Sequence, residues 1–392
     1  MHTQKYPAAI AVILFLFVFV SCKKSKNDTS NIQPDECVTG RASNDGAIIQ
    51  GKYIVSYKPA SVNARTISSE RLAEVGRTTL EKNSIRPSAL EQSFAGEPGG
   101  FIASLSEDEA ERLKNDASIA IVEPDRIIAL GTCFKVVEPR LITWSVNRVG
   151  YGDDTGKTAW IIDSGIDFDH PDLNVDVTRS RSFISGVTSA DDENGHGTHV
   201  AGIIGAKNNS IGILGVASGA KLVSLRVLKA DGEGTLSSII QALAYVNTNG
   251  AAGDVVNMSL GEDGISTTLD QQVQSTASRG IFIAIAAGND GKPARDFSPG
   301  RANGANIFTV SATDSLGRFA SFSNYGNDVV DVAAPGVGII STYNNGQYAI
   351  MSGTSMAAPH VAGLLLLKGR NISSAGTATN DPDGTADVIA HY

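Results

Sequence analysis

The chain has 392 residues, of which 42% are apolar and 19% charged, and it contains 41 glycines. This composition is ordinary for a globular protein of two or three domains, and the glycine content suits an enzyme rich in loops. The formal net charge is −9, and −8 of it falls on residues 131–392. That balance excludes nucleic acid as a partner. It fits either cation sites or a solvated acidic surface.

The first 22 residues have the pattern of a targeting segment. An apolar run of 13 residues, Ala8–Val20, is too short to span a bilayer and is typical of the centre of a secretory signal. The run ends at Ser21 and Cys22, which resemble the cleavage site of bacterial lipoproteins. We expect residues 1–22 to be a lipoprotein-like signal with lipid on Cys22, with a plain signal peptide as the alternative. Either signal implies export to the bacterial outer membrane, the cell surface or the medium.

Residues 23–50 are polar and rich in Ser, Asn, Asp and Lys, which predicts a linker. Two further cysteines, Cys37 and Cys133, flank the region that follows. An exported protein can form a disulfide between them, and two free thiols remain the alternative.

Strands and helices alternate over residues 51–130, which predicts a small α+β domain with an open-faced sheet and two helices on one side. A capping box at Ser106–Glu109 opens the second helix. The predicted strands are Tyr53–Tyr57, Gly100–Leu105 and Ile119–Val122, and the first helix covers Glu70–Lys82.

From residue 131 onward, short apolar runs alternate with segments of helical length. Runs of this kind are typical of buried parallel strands, so we predict an α/β domain with helices on both faces of the sheet. Polar residues follow several runs at the strand ends, where ligands collect in such sheets. The predicted strands are Ala159–Ile162, Lys221–Leu228, Val255–Ser259, Ile281–Ala286 and Ile307–Val310.

Three polar stretches can be interpreted together. Asp163 ends a buried strand, and His196 begins a helix between glycines. Ser355 opens a helix whose apolar or small residues run from Met356 through Leu367 until Lys368-Gly369 stops them. A hydroxyl at a helix N-terminus lies beside unpaired N–H groups, which suits a nucleophile with an oxyanion stabiliser. The order Asp, His, Ser is that of subtilisin.

These motifs resemble those of the subtilisin-like serine proteases. The similarity covers about residues 140–367 and rests on the stretches WIIDSGID, NGHGTHVAGIIGA, NMSLG, AAGND and SGTSMAAPHVAG. ARDFSP and FASFSNYG look closest to the proteinase K branch. Residues 51–130, with YIVSYKP and GFIASLSEDEAERL, resemble the inhibitory propeptide of the same family, which is ferredoxin-like. The resemblance implies a three-layer catalytic domain over 131–392, with a tail after the serine helix that we expect to wrap the surface.

The resemblance also implies the catalytic roles. Ser355 is the expected nucleophile, His196 its general base, Asp163 the carboxylate that orients the imidazole, and Asn289 an oxyanion donor. The protein is expected to hydrolyse peptide bonds in proteins as a monomer, with its own propeptide as inhibitor and self-cleavage between about Ile128 and Thr143.

Substrate is expected to lie between two extended segments, in a form of β-augmentation. Glu233 and Glu262 at the rim either favour basic neighbours in the substrate or are solvated. An apolar first pocket, with Phe297 at its base, predicts a bulky apolar or aromatic side chain before the cleaved bond. The implied binding residues are Gly232, Glu233, Gly234, Ser259, Leu260, Gly261, Ala286, Ala287, Gly288 and Phe297.

Structural Ca²⁺ is the cofactor that the resemblance implies. The stretch AKNNSIGILGVAS matches the calcium loop of the family, and hard oxygen ligands suit this ion. Asp331 matches a second, weaker cation site. The ligands implied for the first site are side chains of Asp172 and Asn209 and carbonyls of Lys207, Ile211 and Ile213.

Three other interpretations compete. His196 and His199, with Asp163, could form a metal site, but no glutamate base accompanies the pair, and we interpret His199 and His360 as structural. A catalytically inactive subtilase acting as a binding module would be expected to have lost one of the four catalytic residues. An esterase would not need strands that pair with a peptide.

Overall fold

The computed structural model describes residues 44–62, 67–130, 135–136, 141–153 and 156–392. The predictions for the signal, for Cys22 and for the Cys37 and Cys133 pair lie outside these residues. Within them, none of the helices combines the length and the apolar character that crossing a bilayer requires.

Seven α-helices are found in the described residues, and most begin at a residue whose side chain caps the first turn. They are α1 (Ser69–Lys82), α2 (Glu107–Lys114), α3 (Trp144–Val149), α4 (His196–Gly205), α5 (Leu236–Asn249), α6 (Thr267–Ala277) and α7 (Thr354–Lys368).

The strands are β1 (Ile48–Tyr57), β2 (Leu90–Phe94), β3 (Gly100–Ser104), β4 (Ile119–Ala129), β5 (Lys135–Val136), β6 (Gly152–Asp153), β7 (Thr158–Asp163), β8 (Arg181–Ser182), β9 (Ala217–Ser218), β10 (Lys221–Arg226), β11 (Glu233–Thr235), β12 (Val255–Met258), β13 (Phe282–Ala286), β14 (Ile307–Thr313), β15 (Val332–Pro335), β16 (Ile339–Tyr343), β17 (Gln347–Met351), β18 (Ser373–Thr377) and β19 (Val388–His391).

The N-terminal part is a small α+β domain, as predicted. Its strands form an antiparallel sheet in the order β4-β1-β3-β2. Helices α1 and α2 cover one face, where Leu72, Leu80 and Leu113 are fully buried. The capping box at Ser106 is present, with the Glu109 side chain accepting from the Ser106 N–H. Strand β2 was not predicted.

The opposite face of this small sheet packs against the second domain. Ile54, Phe94 and Ile102 belong to the same buried apolar cluster as residues of α5 and α6. The sheet of the small domain therefore covers helices α5 and α6 of the second domain, and the two domains share one apolar core there.

The second domain is built on a sheet of nine strands in the order β18-β19-β15-β14-β13-β12-β7-β10-β8. Every neighbouring pair is parallel except β18 with β19. Helices α4 and α7 pack on one face, and α5 and α6 on the other. The three-layer α/β fold expected from the resemblance is confirmed.

The sheet order reverses at β7, which lies between β12 and β10. A crevice opens at such a switch point, beyond the carboxyl ends of the strands. Asp163 is the last residue of β7, and Ser259 follows β12 directly. The chain thus brings its polar strand ends to one edge of the sheet.

Most of the C-terminal tail is exposed, as expected of a surface wrap, but its end also extends the main sheet. Strand β19 pairs with β15, and its Ile389 and Ala390 are buried. The short apolar run VIAH supplies the inward side chains, but too few of them to predict a strand.

Candidate active site

Asp163 and His196 form a buried pair at the sheet edge. Nδ1 of His196 lies 2.8 Å from Oδ1 of Asp163, and both side chains have no exposed surface. A carboxylate can only accept, so Nδ1 carries the proton and Nε2 of the neutral ring is an acceptor. The Ser164 N–H donates a second bond of 2.7 Å to the same Asp163 oxygen. The pair has the tautomer that a general base requires.

The surroundings of His196 favour its charged form. Burial by itself lowers the pKa of this imidazole, but the charge and hydrogen bond of Asp163, with a further charge on Asp192, outweigh burial and raise the pKa of His196 above its ordinary value. A base with a raised pKa accepts a proton from a hydroxyl more readily.

Asp192 fixes the loop that presents His196, a role that the sequence analysis missed. Its Oδ1 accepts from the Ser164 hydroxyl and from the N–H groups of Asn194 and Gly195, at 2.9 to 3.0 Å. Its Oδ2 accepts from the N–H and hydroxyl of Thr198 in the first turn of α4. A carboxylate shortly before a glycine-flanked helix start was the available signal.

Ser355 lies in the first turn of α7, where its own N–H has no intrahelical acceptor. Its Oγ donates to the Ser259 carbonyl at 3.1 Å, and the Ser259 hydroxyl donates back to the Ser355 carbonyl at 2.7 Å. Nε2 of His196 has no hydrogen-bond partner among the described residues. In this state the Ser355 hydroxyl and the His196 imidazole are not joined by a hydrogen bond.

Asn289 follows β13 and is oriented by the residue before the nucleophile. Its Oδ1 accepts from the N–H and the hydroxyl of Thr354, at 2.8 and 2.9 Å. Because the amide oxygen is bound in this way, Nδ2 is the end of the side chain that can donate to an oxyanion. Asn289 and Ser355 line the same cavity.

That cavity contains most of the residues predicted for the first specificity pocket. Its walls are apolar, and Leu130, the residue that follows β4, forms part of them. Phe297 is almost fully buried there. The lining residues are Leu130, Leu260, Gly261, Ala286, Ala287, Gly288, Asn289, Phe297, Ser298, Gly300, Thr354 and Ser355.

Strand β4 of the propeptide runs through the predicted substrate path. Ala129 pairs with Glu233 and Ile128 with Gly234, antiparallel, and the Leu130 N–H donates to the Gly232 carbonyl at 3.1 Å. One of the two predicted substrate strands is thus occupied by the chain itself, as β-augmentation requires.

The other edge of this tail pairs with residues 45–47 over the part that the structure describes. The Gly46 N–H donates to Ile127, the Ile127 N–H donates to Ala47, and Oδ1 of Asp45 accepts from Ala129, all at 2.9 Å. The role of Ser259–Gly261 as the second substrate strand stays a prediction. The linker predicted over residues 23–50 therefore includes a segment that contributes to the closed cleft.

Two carboxylates of the small domain cap the N-termini of α6 and α5. Glu123 accepts from the Thr268 N–H at 3.1 Å, and Asp125 accepts from the N–H and hydroxyl of Ser237 at 3.0 and 2.6 Å. Burial raises the pKa of both carboxyl groups, although the bonds they accept lower it. The sequence offered only Glu123-Pro124-Asp125, which resembled a strand end.

Of the residues predicted to bind calcium, Asp172 precedes α4 and lies against the loop after α4 that contains the others. Oδ2 of Asp172 accepts from the Ile213 N–H at 2.9 Å, and its Oδ1 is buried without a hydrogen-bond partner among the described residues. The Asn209 amide donates to the Pro171 carbonyl at 3.4 Å and accepts from Ile211 at 3.2 Å. A buried, unpartnered carboxylate oxygen beside a loop of carbonyl and amide oxygens fits a hard cation.

The weaker cation site at Asp331 has less around it. Oδ2 of Asp331 accepts from the Thr309 N–H at 2.8 Å. No cluster of three or more His, Cys, Asp or Glu side chains suited to a metal occurs in the part of the chain that the structure describes.

The two buried histidines have structural contacts. Nε2 of His199 lies 3.2 and 3.1 Å from the carbonyls of Ile339 and Ala349, and Nδ1 of His360 lies 2.8 Å from that of Met356. Burial lowers the pKa of His199 to about 3 and of His360 to about 4, so both are neutral donors.

Comparison with known proteins agrees with this geometry. The model of the subtilase family matches residues 156–377, and that of the peptidase inhibitor I9 family matches residues 52–130. The chain is 35% identical over 378 residues to the thermophilic serine proteinase of Bacillus sp. (strain AK1), covering 93% of this chain and 89% of the relative. It is 45% identical over 241 residues to subtilisin BL of Lederbergia lenta, covering 59% of this chain and 86% of the relative.

A solved structure is similar in the same way. The crystal structure of a cold adapted subtilisin-like serine proteinase matches with a TM-score of 0.54 and 32% identity, over 64% of this chain and 98% of that one. The placement near the proteinase K branch stays a prediction.

Proposed function

The chain belongs to the subtilase family of serine endopeptidases, with an I9-type propeptide, and we propose that it is exported and matures by cutting itself beyond Leu130. One observation carries the maturation proposal. The end of β4 lies antiparallel to β11, and Leu130 lies in the cavity that Ser355 and Asn289 line. The last described residue of this segment is therefore held in the same cavity as the proposed nucleophile.

The proposed chemistry uses four side chains. Ser355 Oγ attacks the carbonyl carbon and passes its proton to Nε2 of His196, while Asp163 holds the opposite ring nitrogen and stabilises the imidazolium. Nδ2 of Asn289 and the Ser355 N–H donate to the oxyanion. His196 then returns the proton to the leaving amine, and water hydrolyses the acyl-enzyme. Loss of the corresponding amide in subtilisin itself slows the reaction by roughly 10²–10³.

Structural calcium is part of the proposal. Asp172 and Asn209, with carbonyls of Lys207, Ile211 and Ile213, would hold the ion, and the unpartnered Asp172 oxygen supports this. When bound, the ion supplies positive charge that compensates the buried carboxylate and stiffens the loop after α4. Asp331 would hold a second, weaker cation.

Export rests on the N-terminal sequence. The apolar run Ala8–Val20 and the following Cys22 support a cleaved signal and a lipid anchor, which would keep the enzyme at the outer membrane or cell surface. We propose that it acts there as a monomer on proteins and peptides, and that the apolar pocket above Phe297 takes an apolar side chain before the cleaved bond.

The test compares the full chain with its Ser355→Ala variant. Ser315→Ala serves as the control, because Ser315 is an exposed serine in the loop after β14 and does not line the cavity. We expect Ser355→Ala to stay uncut in a protease-free host and to leave casein intact. Wild type and Ser315→Ala should yield a mature chain whose N-terminus, by mass spectrometry, falls between residues 131 and 143. Processing of Ser355→Ala to the same product would refute self-cleavage, and equal casein hydrolysis would refute the catalytic assignment.

A further inference from the structure

Glu262 is a buried carboxylate beside the substrate cleft that the catalytic mechanism does not use. It directly follows Leu260 and Gly261, which line the cavity, and its N–H donates to the Ser298 carbonyl at 2.9 Å. Its side chain has no exposed surface, and neither carboxylate oxygen accepts a hydrogen bond from a described residue. A buried carboxylate in this condition is costly unless a cation compensates it.

The cation that faces it belongs to the tail in the cleft. Nε of Arg126 lies 3.9 Å from Oε2 of Glu262. Gly264 makes room for the guanidinium, because a Cβ built there would lie 3.0 Å from Nη1 of Arg126. Arg126 belongs to β4 and precedes Ile127–Ala129, the residues that pair with β11, so its side chain marks where an extended peptide in this path meets Glu262.

The other charges around Glu262 are acidic. With the propeptide in place, burial raises the pKa of Glu262 to about 8, Arg126 opposes this rise, and the carboxylates of Glu123, Asp45 and Asp270 add to it. Glu123 and Asp45 lie before Leu130 and leave with the propeptide, whereas Glu262 and Asp270 remain. The departure of these two like charges favours the ionised form of Glu262 in the mature enzyme, where it can face a bound peptide with its negative charge.

We propose that Glu262 forms an extended subsite that selects an arginine or lysine side chain in the substrate, four residues before the one that takes the place of Leu130. This rests on the endopeptidase activity and on the peptide path proposed above. In the uncleaved chain Arg126 occupies this subsite, and after maturation a basic side chain of a substrate binds there instead.

The experiment uses the mature enzyme obtained from the full chain and internally quenched peptides with the sequence of residues 122–136, carrying serine in place of Cys133. The position of Arg126 holds arginine, its neutral isostere citrulline, or glutamate. We compare kcat/KM for wild type, Glu262→Gln, and Asp263→Asn, which removes the same charge from the exposed neighbouring residue. Mass spectrometry verifies that one bond is cut in all peptides.

Wild type should cleave the arginine peptide about fivefold faster than the citrulline peptide, and the glutamate peptide more slowly still. Glu262→Gln should bring the ratio of arginine to citrulline to near one, and Asp263→Asn should keep most of it. A wild-type ratio near one overturns the proposal even if a variant fails to fold. Equal ratios in wild type and Glu262→Gln, or an equal loss in Asp263→Asn, also overturn it. Failure to cleave any peptide would instead contradict the endopeptidase assignment.

Discussion

Replacing Asp125 by alanine should loosen the propeptide without altering the mature enzyme. The Asp125 carboxylate is fully buried and accepts bonds of 3.0 and 2.6 Å from the N–H and hydroxyl of Ser237 in the first turn of α5. Hydrogen bonds to a charged group contribute about 1.5–3 kcal/mol each. Both bonds are accepted by the same carboxylate, and its removal also removes the cost of burying it. We therefore expect the loss of both bonds to reduce the free energy of propeptide binding by about 2–3 kcal/mol. That corresponds to a complex weakened roughly 30- to 150-fold.

The assay follows the processed, noncovalent complex upon dilution, with reductant present so that no disulfide tethers the propeptide. Peptidase activity against total concentration gives the dissociation constant. Glu107→Ala, an exposed acidic residue of the first turn of α2, is the matched control and should leave the constant unchanged. The fully dissociated enzymes should have the same kcat/KM, because Asp125 is absent from them. A constant for Asp125→Ala within threefold of wild type would refute the reasoning.

Three more predictions concern protons and calcium. Because the pKa of His196 is raised, activity should be lost as pH falls through a value above about 6.5, the ordinary pKa of histidine. An acid limb of kcat/KM at or below pH 6.5 would contradict the influence of Asp163 and Asp192 on His196. The pKa of Glu262 is raised to about 8 in the complex, so the propeptide binds best when this carboxyl group is protonated. The contribution of Glu262 to propeptide affinity is therefore complete below the ordinary pKa of a glutamate and is lost as pH rises through 8. The dissociation constant should therefore rise between pH 6 and 9, and less so in Glu262→Gln. Chelation should lower the Tm of the mature enzyme by roughly 5–10 °C, and Asp172→Asn should have a lower Tm that no longer responds to calcium.

The positions that we propose as catalytic could be predicted from the sequence because each has a local pattern. Asp163 ends an apolar strand, His196 is flanked by glycines at a helix start, and Ser355 opens an apolar helix. The strands Tyr53–Tyr57 and Ile119–Val122 were recognised for the same reason, although both extend further in the structure.

Features that depend on distant contacts were not predictable in this way. Three such features depend on residues far apart in the chain. They are the hydrogen bond from Ser355 to Ser259, the pairing of Gly46 with Ile127, and the buried position of Glu262 beside Arg126. Nothing in the sequence around Glu262 distinguishes a solvated carboxylate from a buried one, because Arg126, the cation that faces it, lies in a distant part of the chain.

The pairing of β4 with β11 has a consequence for the mature enzyme in solution. If the tail leaves as proposed, β11 becomes an unpaired edge of the kind that recruits strands from other molecules and leads to aggregation. Here the edge has only three residues, Glu233–Thr235, with a charge at one end and a glycine at its centre. Such an edge is too short and too poorly β-forming to hold a second copy of the protein, yet long enough to align a peptide for one turnover. The same three residues thus reconcile solubility with the capture of extended chains.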